Sequence, residues 1–249
     1  MPKKEQTTDR KESGKNNDQL HEMKLNGKFL FDRPRSVSQE WSFSLKAVWE
    51  LLKGYRTFHK VGPCVSVFGS ARFSEDHPYY KKARLIGNSL AEMGFTVMTG
   101  GGPGIMEAAN RGAFEVGGNS VGCNIRLPSE PGYNEYLDKV VTFKYFFIRK
   151  VLLFKYSYAF VIMPGGFGTM DELFEALTLL QTKKIRPMPI VMMGKDFWKP
   201  LLETMERMKE EKTIDQEDTD LFKVTDDPEE ALEHIRINAI QRYGLDKKG

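Results

Sequence analysis

The stretch Tyr158-Ala-Phe-Val-Ile-Met163 runs directly into Pro164-Gly-Gly-Phe-Gly-Thr-Met-Asp-Glu172. A short apolar run, a glycine turn and the opening of an amphipathic segment read as buried strand, loop and helix start. Such a turn is built for an anion. Gly165, Gly166 and Gly168 let the backbone approach a ligand closely with its N–H groups turned inward, and the helix N-terminus adds its dipole, so phosphate is the expected occupant. Glu172 stands four residues beyond Gly168, on the same helix face and roughly 6 Å further along the axis. A carboxylate there waits about one sugar away from a phosphate on the loop. The plain alternative for Glu172, as for its neighbour Asp171, is an acid favoured by the helix dipole. Adjacent positions diverge by about 100°, so the two acids do not face one ligand. Glu175, one turn on, either flanks the site or is solvated.

A second loop repeats the context. Phe95-Thr-Val-Met-Thr99 reads as a strand, Gly100-Gly-Gly-Pro-Gly104 as a turn, and Ile105 to Val116 as a helix packed through Ile105, Ala108, Ala109, Gly112 and Ala113. A third strand, Val65-Ser-Val-Phe68, ends in Gly69-Ser70-Ala71-Arg72, which offers amides, a hydroxyl and a cation. Three ligand-ready turns at strand ends are expected of a parallel sheet that binds at its carboxyl edge.

Outward from these loops, strands are expected near 64–68, 95–99, 120–125, 139–143, 158–163, 189–193 and 221–225. Helices are expected near 77–93, 104–117, 145–157, 168–182, 196–211 and 227–242. This alternation predicts an α/β fold, a doubly wound, Rossmann-like parallel sheet in a single domain over 36–249. Gln39 to Lys60 spaces Trp41, Leu45, Val48, Trp49, Leu52 and Phe58 as a leading helix that packs on the main body. Residues 1–35 read as a disordered tail, since 1–19 hold no hydrophobic side chain except Met1. That tail carries nine Lys or Arg against six Asp or Glu, and the whole chain is +3, so the rest is neutral. No basic stripe therefore argues for nucleic acid.

Cys64 and Cys123 are the two cysteines of 249 residues, both beside apolar strands, and read as buried free thiols in a reducing cytoplasm. No signal peptide and no run of about 18 apolar residues is present, so no membrane partner is expected. His21, His59, His77 and His234 are scattered and read as surface residues; no metal and no cofactor is expected. No G-x-x-x-x-G-K-[ST] loop occurs. Read as G-x-G-x-x-G from Gly100, the last glycine position holds Ile105, and the following strand runs into Arg126 where a dinucleotide site needs an acid. The segment Lys144 to Tyr158 is apolar nearly all round, so it is buried on more than one side, with Arg149 and Lys150 in its middle. Either both snorkel from a core or subunit-interface helix, or Arg149 enters the pocket as an anion or substrate contact.

Thr99-Gly-Gly-Gly-Pro-Gly-Ile-Met-Glu-Ala-Ala109, Arg149-Lys150 and Pro164-Gly-Gly-Phe-Gly-Thr-Met-Asp-Glu172 together resemble the signatures of the LONELY GUY family, over roughly residues 60–245. These are cytokinin riboside 5′-monophosphate phosphoribohydrolases and related nucleotide nucleosidases, often labelled lysine decarboxylases. The resemblance implies hydrolysis of the N-glycosidic bond of a nucleoside 5′-monophosphate, with Arg149 and Glu172 catalytic. Phosphate and ribose contacts would fall on Gly69, Ser70, Gly101, Gly102, Gly104, Met106, Lys150, Gly165, Gly166, Gly168 and Thr169. It also implies a homodimer or higher homo-oligomer whose partner chain helps complete each site; the apolar surfaces of the helices of 145–157 and 168–182 place them at or near that contact. The turn Phe68-Gly-Ser-Ala-Arg72 is that of longer members, whereas short plant-like enzymes carry a Cys-Gly-Ser-type turn. The substrate is thus either a cytokinin riboside 5′-monophosphate or a common purine or pyrimidine nucleoside monophosphate. The alternative class is a non-catalytic nucleotide or molybdenum-cofactor carrier of the same fold.

Overall fold

The computed structural model describes residues 36–126 and 132–241. The chain divides into two units, Met1–Val48 and Trp49–Gly249, and the division falls inside the first helix, α1 (Val37–Phe58). The tail itself lies outside the described residues. In the first unit Val37, Trp41, Leu45 and Val48 are exposed. In the second, the expected packing of α1 is confined to its end: Gly54 and Phe58 are buried, while Trp49 and Leu52 are 68% and 49% exposed.

The second unit is built on seven strands: β1 (Cys64–Phe68), β2 (Thr96–Thr99), β3 (Ser120–Ile125), β4 (Lys139–Phe143), β5 (Ser157–Ile162), β6 (Ile190–Met193) and β7 (Phe222–Thr225). Each lies within a residue of its expected limits. All pairs are parallel, in the order β4-β3-β2-β1-β5-β6-β7. The chain winds outward from β1 to β4, returns to the centre at β5 and winds the other way to β7. The winding sense therefore reverses between β1 and β5, and the crevice at their carboxyl ends is where such a sheet binds ligands.

Between the strands run α2 (Pro78–Glu92), α3 (Ile105–Glu115), α4 (Phe146–Tyr156), α5 (Phe167–Gln181), α6 (Lys195–Glu210) and α7 (Pro228–Ile235), the last continued by a π-helical turn at Arg236–Gln241. Because side chains alternate across a strand, Val65 and Val67 of β1 share one face with Val97, Ala159, Val161 and Val191. That face is buried under Ile86 and Leu90 of α2, Ile105 and Ala109 of α3 and Ile235 of α7. On the other face Phe160 meets Phe68 and Phe154 edge-on at 5.1 and 4.9 Å, which brings α4 against the sheet. Burial on both faces explains the near-continuous apolar strands. A 3₁₀ helix at Gln216–Leu221, opened by a reciprocal cap between Asp215 and Asp218, is not evident in the sequence, because five polar residues and one leucine carry no helical periodicity. Among the described residues no helix is long and apolar enough to cross a membrane. His77, read as a surface residue, is half-buried: it caps α2 by accepting the Tyr79 N–H at 3.2 Å and stacks on Phe73.

Candidate active site

The three strand-end turns meet. The Ser70 N–H donates to the Pro164 carbonyl at 3.0 Å, and the Ile105 N–H donates to the Ser70 carbonyl at 3.0 Å, so the β1 turn ties the two glycine loops together. They open on one cavity of about 850 Å³, within the span of small-molecule sites. Of the expected contacts, Gly69, Ser70, Gly102, Met106, Gly165, Gly166, Gly168 and Thr169 line it, with Arg149.

The β5 loop ends in Gly166, the N-cap of α5, which makes no side-chain cap bond. The Thr169 and Met170 amides return to the Gly166 carbonyl, both at 3.0 Å. A helix start that no side chain caps presents its dipole to the cavity, as an anion site requires. Phe167 stands 96% exposed at its rim.

Gly101 and Gly104 are not on the wall. Both have positive φ, 72° and 68°, and a Cβ at Gly104 would collide with the Ser70 carbonyl. They shape the β2 loop and let it close on the β1 turn. Arg149 comes from α4. Its Nε donates to the Cys123 carbonyl at 3.0 Å, and its guanidinium lies so close to Gly100 that a Cβ there would stand 2.9 Å from Nη2. The pocket reading of Arg149 is thus the one its position favours.

Lys150 is placed differently from its expected role. Its ammonium bridges Asp171 Oδ2 at 2.8 Å and Glu175 Oε2 at 2.6 Å, away from the cavity wall. Burial lowers its pKa, but the bonds to Asp171 and Glu175 outweigh that and raise it. This clamp joins α4 to α5 through two acids that flank Glu172 in sequence. Glu172 is 2% exposed, off the cavity wall, with Oε2 lacking a hydrogen-bond partner. Burial pushes its carboxyl up to about 7, opposed by the fields of Arg149 and Lys150. Gly168 and Glu172 both lie in α5, four residues apart as expected, but Gly168 is exposed at its start and Glu172, a turn on, is buried. Burial also pushes the Cys123 thiol up to about 12, which rules it out as a nucleophile near neutrality. Cys64 and Cys123 are both buried and free.

A family model described as "Possible lysine decarboxylase" matches residues 106–235, just over half of the chain. The chain belongs to this family, the LONELY GUY family. A LONELY GUY relative from Oryza sativa subsp. japonica, named "Probable cytokinin riboside 5'-monophosphate phosphoribohydrolase LOGL5", is 33% identical over 135 residues, 53% of this chain and 54% of its own. The Mycobacterium tuberculosis "Cytokinin riboside 5'-monophosphate phosphoribohydrolase" is 35% identical over 98 residues, 37% of this chain and 51% of its own. The chain thus spans about half the length of these two relatives. The molybdenum cofactor binding protein of Rippkaea orientalis shares the fold, with a TM-score of 0.53 at 22% identity over 71% of this chain and 96% of its own. The Moco carrier protein of Chlamydomonas reinhardtii gives 0.53 at 22% over 72% and 99%.

Sequence reasoning missed Asn124, Phe146 and Phe197 on the wall, and Asn110 and Asn134 behind it. Asn124 and Phe197 were findable in principle, since each sits at or just beyond the carboxyl end of a strand.

Proposed function

We propose that the protein hydrolyses the N-glycosidic bond of a nucleoside 5′-monophosphate, releasing free base and ribose 5-phosphate. The observation that carries this reading is the meeting of two glycine loops on one cavity at the sheet's switch point, with Arg149 on its wall and Glu172 immediately behind. The loops would hold phosphate. As the bond from C1′ to the base breaks, the sugar gains positive charge, and the Glu172 carboxylate would stabilise it. A water oxygen then bonds to C1′, and the proton that this water releases balances, through solvent, the one taken up by the departing nitrogen. Arg149 would hold the phosphate or the leaving base. Substrate must shift the first turns of α5 for the Glu172 carboxyl to reach the ribose.

The reading includes a cytoplasmic homodimer or higher oligomer that requires no metal, cofactor, nucleic acid or membrane. Phe147 and Val151 of α4 and Phe174 of α5 are exposed and would form the subunit contact. One observation favours the second reading, a nucleotide or molybdenum-cofactor carrier: Glu172 is off the cavity wall. Incubation with AMP, GMP, CMP and UMP decides between them, with released base expected from at least one and release from none favouring the carrier.

A further inference from the structure

Behind the β2 loop lies a buried polar cluster that the reaction does not use. Asn134, between β3 and β4, donates from its side-chain amide to the Gly101 carbonyl at 3.1 Å and the Gly102 carbonyl at 3.0 Å, and its backbone N–H reaches Gly101 at 2.8 Å. Asn124, on β3, donates to the Gly100 carbonyl at 3.0 Å. The Gly101 and Gly102 carbonyls are thereby drawn onto Asn134, off the cavity wall, and the Gly100 carbonyl is held by Asn124 on that wall. The cluster is held in turn: Asn110 Oδ1 accepts from Asn134 at 3.1 Å and from the Thr99 hydroxyl at 2.5 Å, and Asn110 Nδ2 donates to Ser120 at 2.8 Å. The Thr99 oxygen accepts the Gly101 N–H at 2.8 Å.

In a planar trans peptide the C=O and N–H point in opposite directions. Drawing the Gly101 carbonyl onto Asn134 therefore turns the Gly102 N–H away from Asn134, and Gly102 lines the cavity. A glycine loop has no intrinsic preference for this orientation; flipped, it would present carbonyl oxygens that repel an anion. We infer that Asn134, seconded by Asn124, is the positioning residue that fixes the polarity of the β2 loop and makes the Gly102 amide a phosphate donor. The inference rests on reading the glycine loops as a phosphate site.

The test uses the full chain with inorganic phosphate and ribose 5-phosphate as probes. In ¹⁵N-labelled wild type, the Gly102 amide should shift on phosphate titration. Asn134→Asp keeps the shape but replaces the donors with acceptors facing three carbonyls. It should bind ribose 5-phosphate at least about tenfold more weakly, as loss of these buried bonds implies. Its affinity for free adenine should stay within about twofold on the same scale. Asn134→Gln, which restores the amide, should recover part of the loss. An unmoved Gly102 amide, an unchanged ribose 5-phosphate affinity in Asn134→Asp, or equal losses for ribose 5-phosphate and adenine in a folded variant would each overturn the inference. If Asn134→Asp does not fold, the wild-type titration decides. Should these results hold while no monophosphate is hydrolysed, the positioning role stands and the proposed function falls.

Discussion

The two glycine loops look alike in sequence and are held in opposite ways. The β2 loop is held by Asn134 from behind and by Asn124 at the cavity wall, bends through two glycines with positive φ, and closes on the Ser70 carbonyl. The β5 loop has no side-chain cap, leaves Phe167 almost wholly in solvent and leads into a helix whose buried acid has an unpartnered oxygen. One half of the cavity is preorganised and the other is free to adapt. Preorganised donors cost no reorganisation when charge develops, whereas a carboxyl off the wall needs movement to take part.

The largest expected effect falls on the adaptable half. Replacing Glu172 with Gln should lower turnover of the preferred monophosphate by on the order of 100-fold or more, because stabilisation of the sugar cation is lost. Its binding should stay nearly intact. Near wild-type turnover in steady-state assays would remove Glu172 from the chemistry.

The loops also separate under alanine substitution. Gly104→Ala places a Cβ at a positive φ against the Ser70 and Ala71 backbone, and should destabilise by on the order of 3 kcal/mol in urea unfolding. Gly168→Ala meets nothing within 4 Å and lies in the first turn of α5, so the same assay should show a gain of up to about 1 kcal/mol. Comparable losses for both would mean that the β5 loop is as constrained as its partner.

The same acid sets a pH dependence of stability. The Glu172 carboxyl is raised from 4.5 to about 7 by burial, so between those values the folded protein keeps a proton that the unfolded chain releases. The stability contribution is full below about pH 4.5 and is lost as pH rises through about 7. Glu172→Gln should therefore match the wild type near about pH 4 and exceed it by on the order of 2–3 kcal/mol near about pH 8. Parallel melting curves across pH for the two proteins would refute the burial of an uncompensated acid.

How much of this was legible follows from how local each cause is. Strand, turn and helix show in short windows: apolar runs, glycines and Pro78 or Pro228 at helix starts fix them, and every strand lies where expected. Loop polarity does not show, because Asn134 reaches Gly101 across 33 positions and nothing near either residue announces the other. The Lys150 bridge is equally remote, since it joins α4 to α5. The spacing of Asp171 and Glu175, one helical turn apart, does carry a signal for that contact: two acids on one face, ready to share a cation.

That shared cation gives the smallest effect and the sharpest check on the comparison. Lys150 was expected to hold phosphate, yet its ammonium joins α4 to two acids of α5. Asp171 and Glu175 are 58% and 34% exposed, so solvent screens the pairs and their loss costs little. Lys150→Met, which keeps the apolar stem, should lower stability by only about 0.5–1 kcal/mol in urea unfolding. Monophosphate affinity by calorimetry should stay within about twofold of the wild type. Lys150 is one of the two cations whose fields hold the Glu172 carboxyl down, so Lys150→Met should push that carboxyl further up. The pH-dependent gain of Glu172→Gln should then grow in the Lys150→Met background. A tenfold loss of monophosphate affinity with stability unchanged would instead return Lys150 to the phosphate, and would place the rigid and adaptable halves of the cavity under one set of ligand contacts.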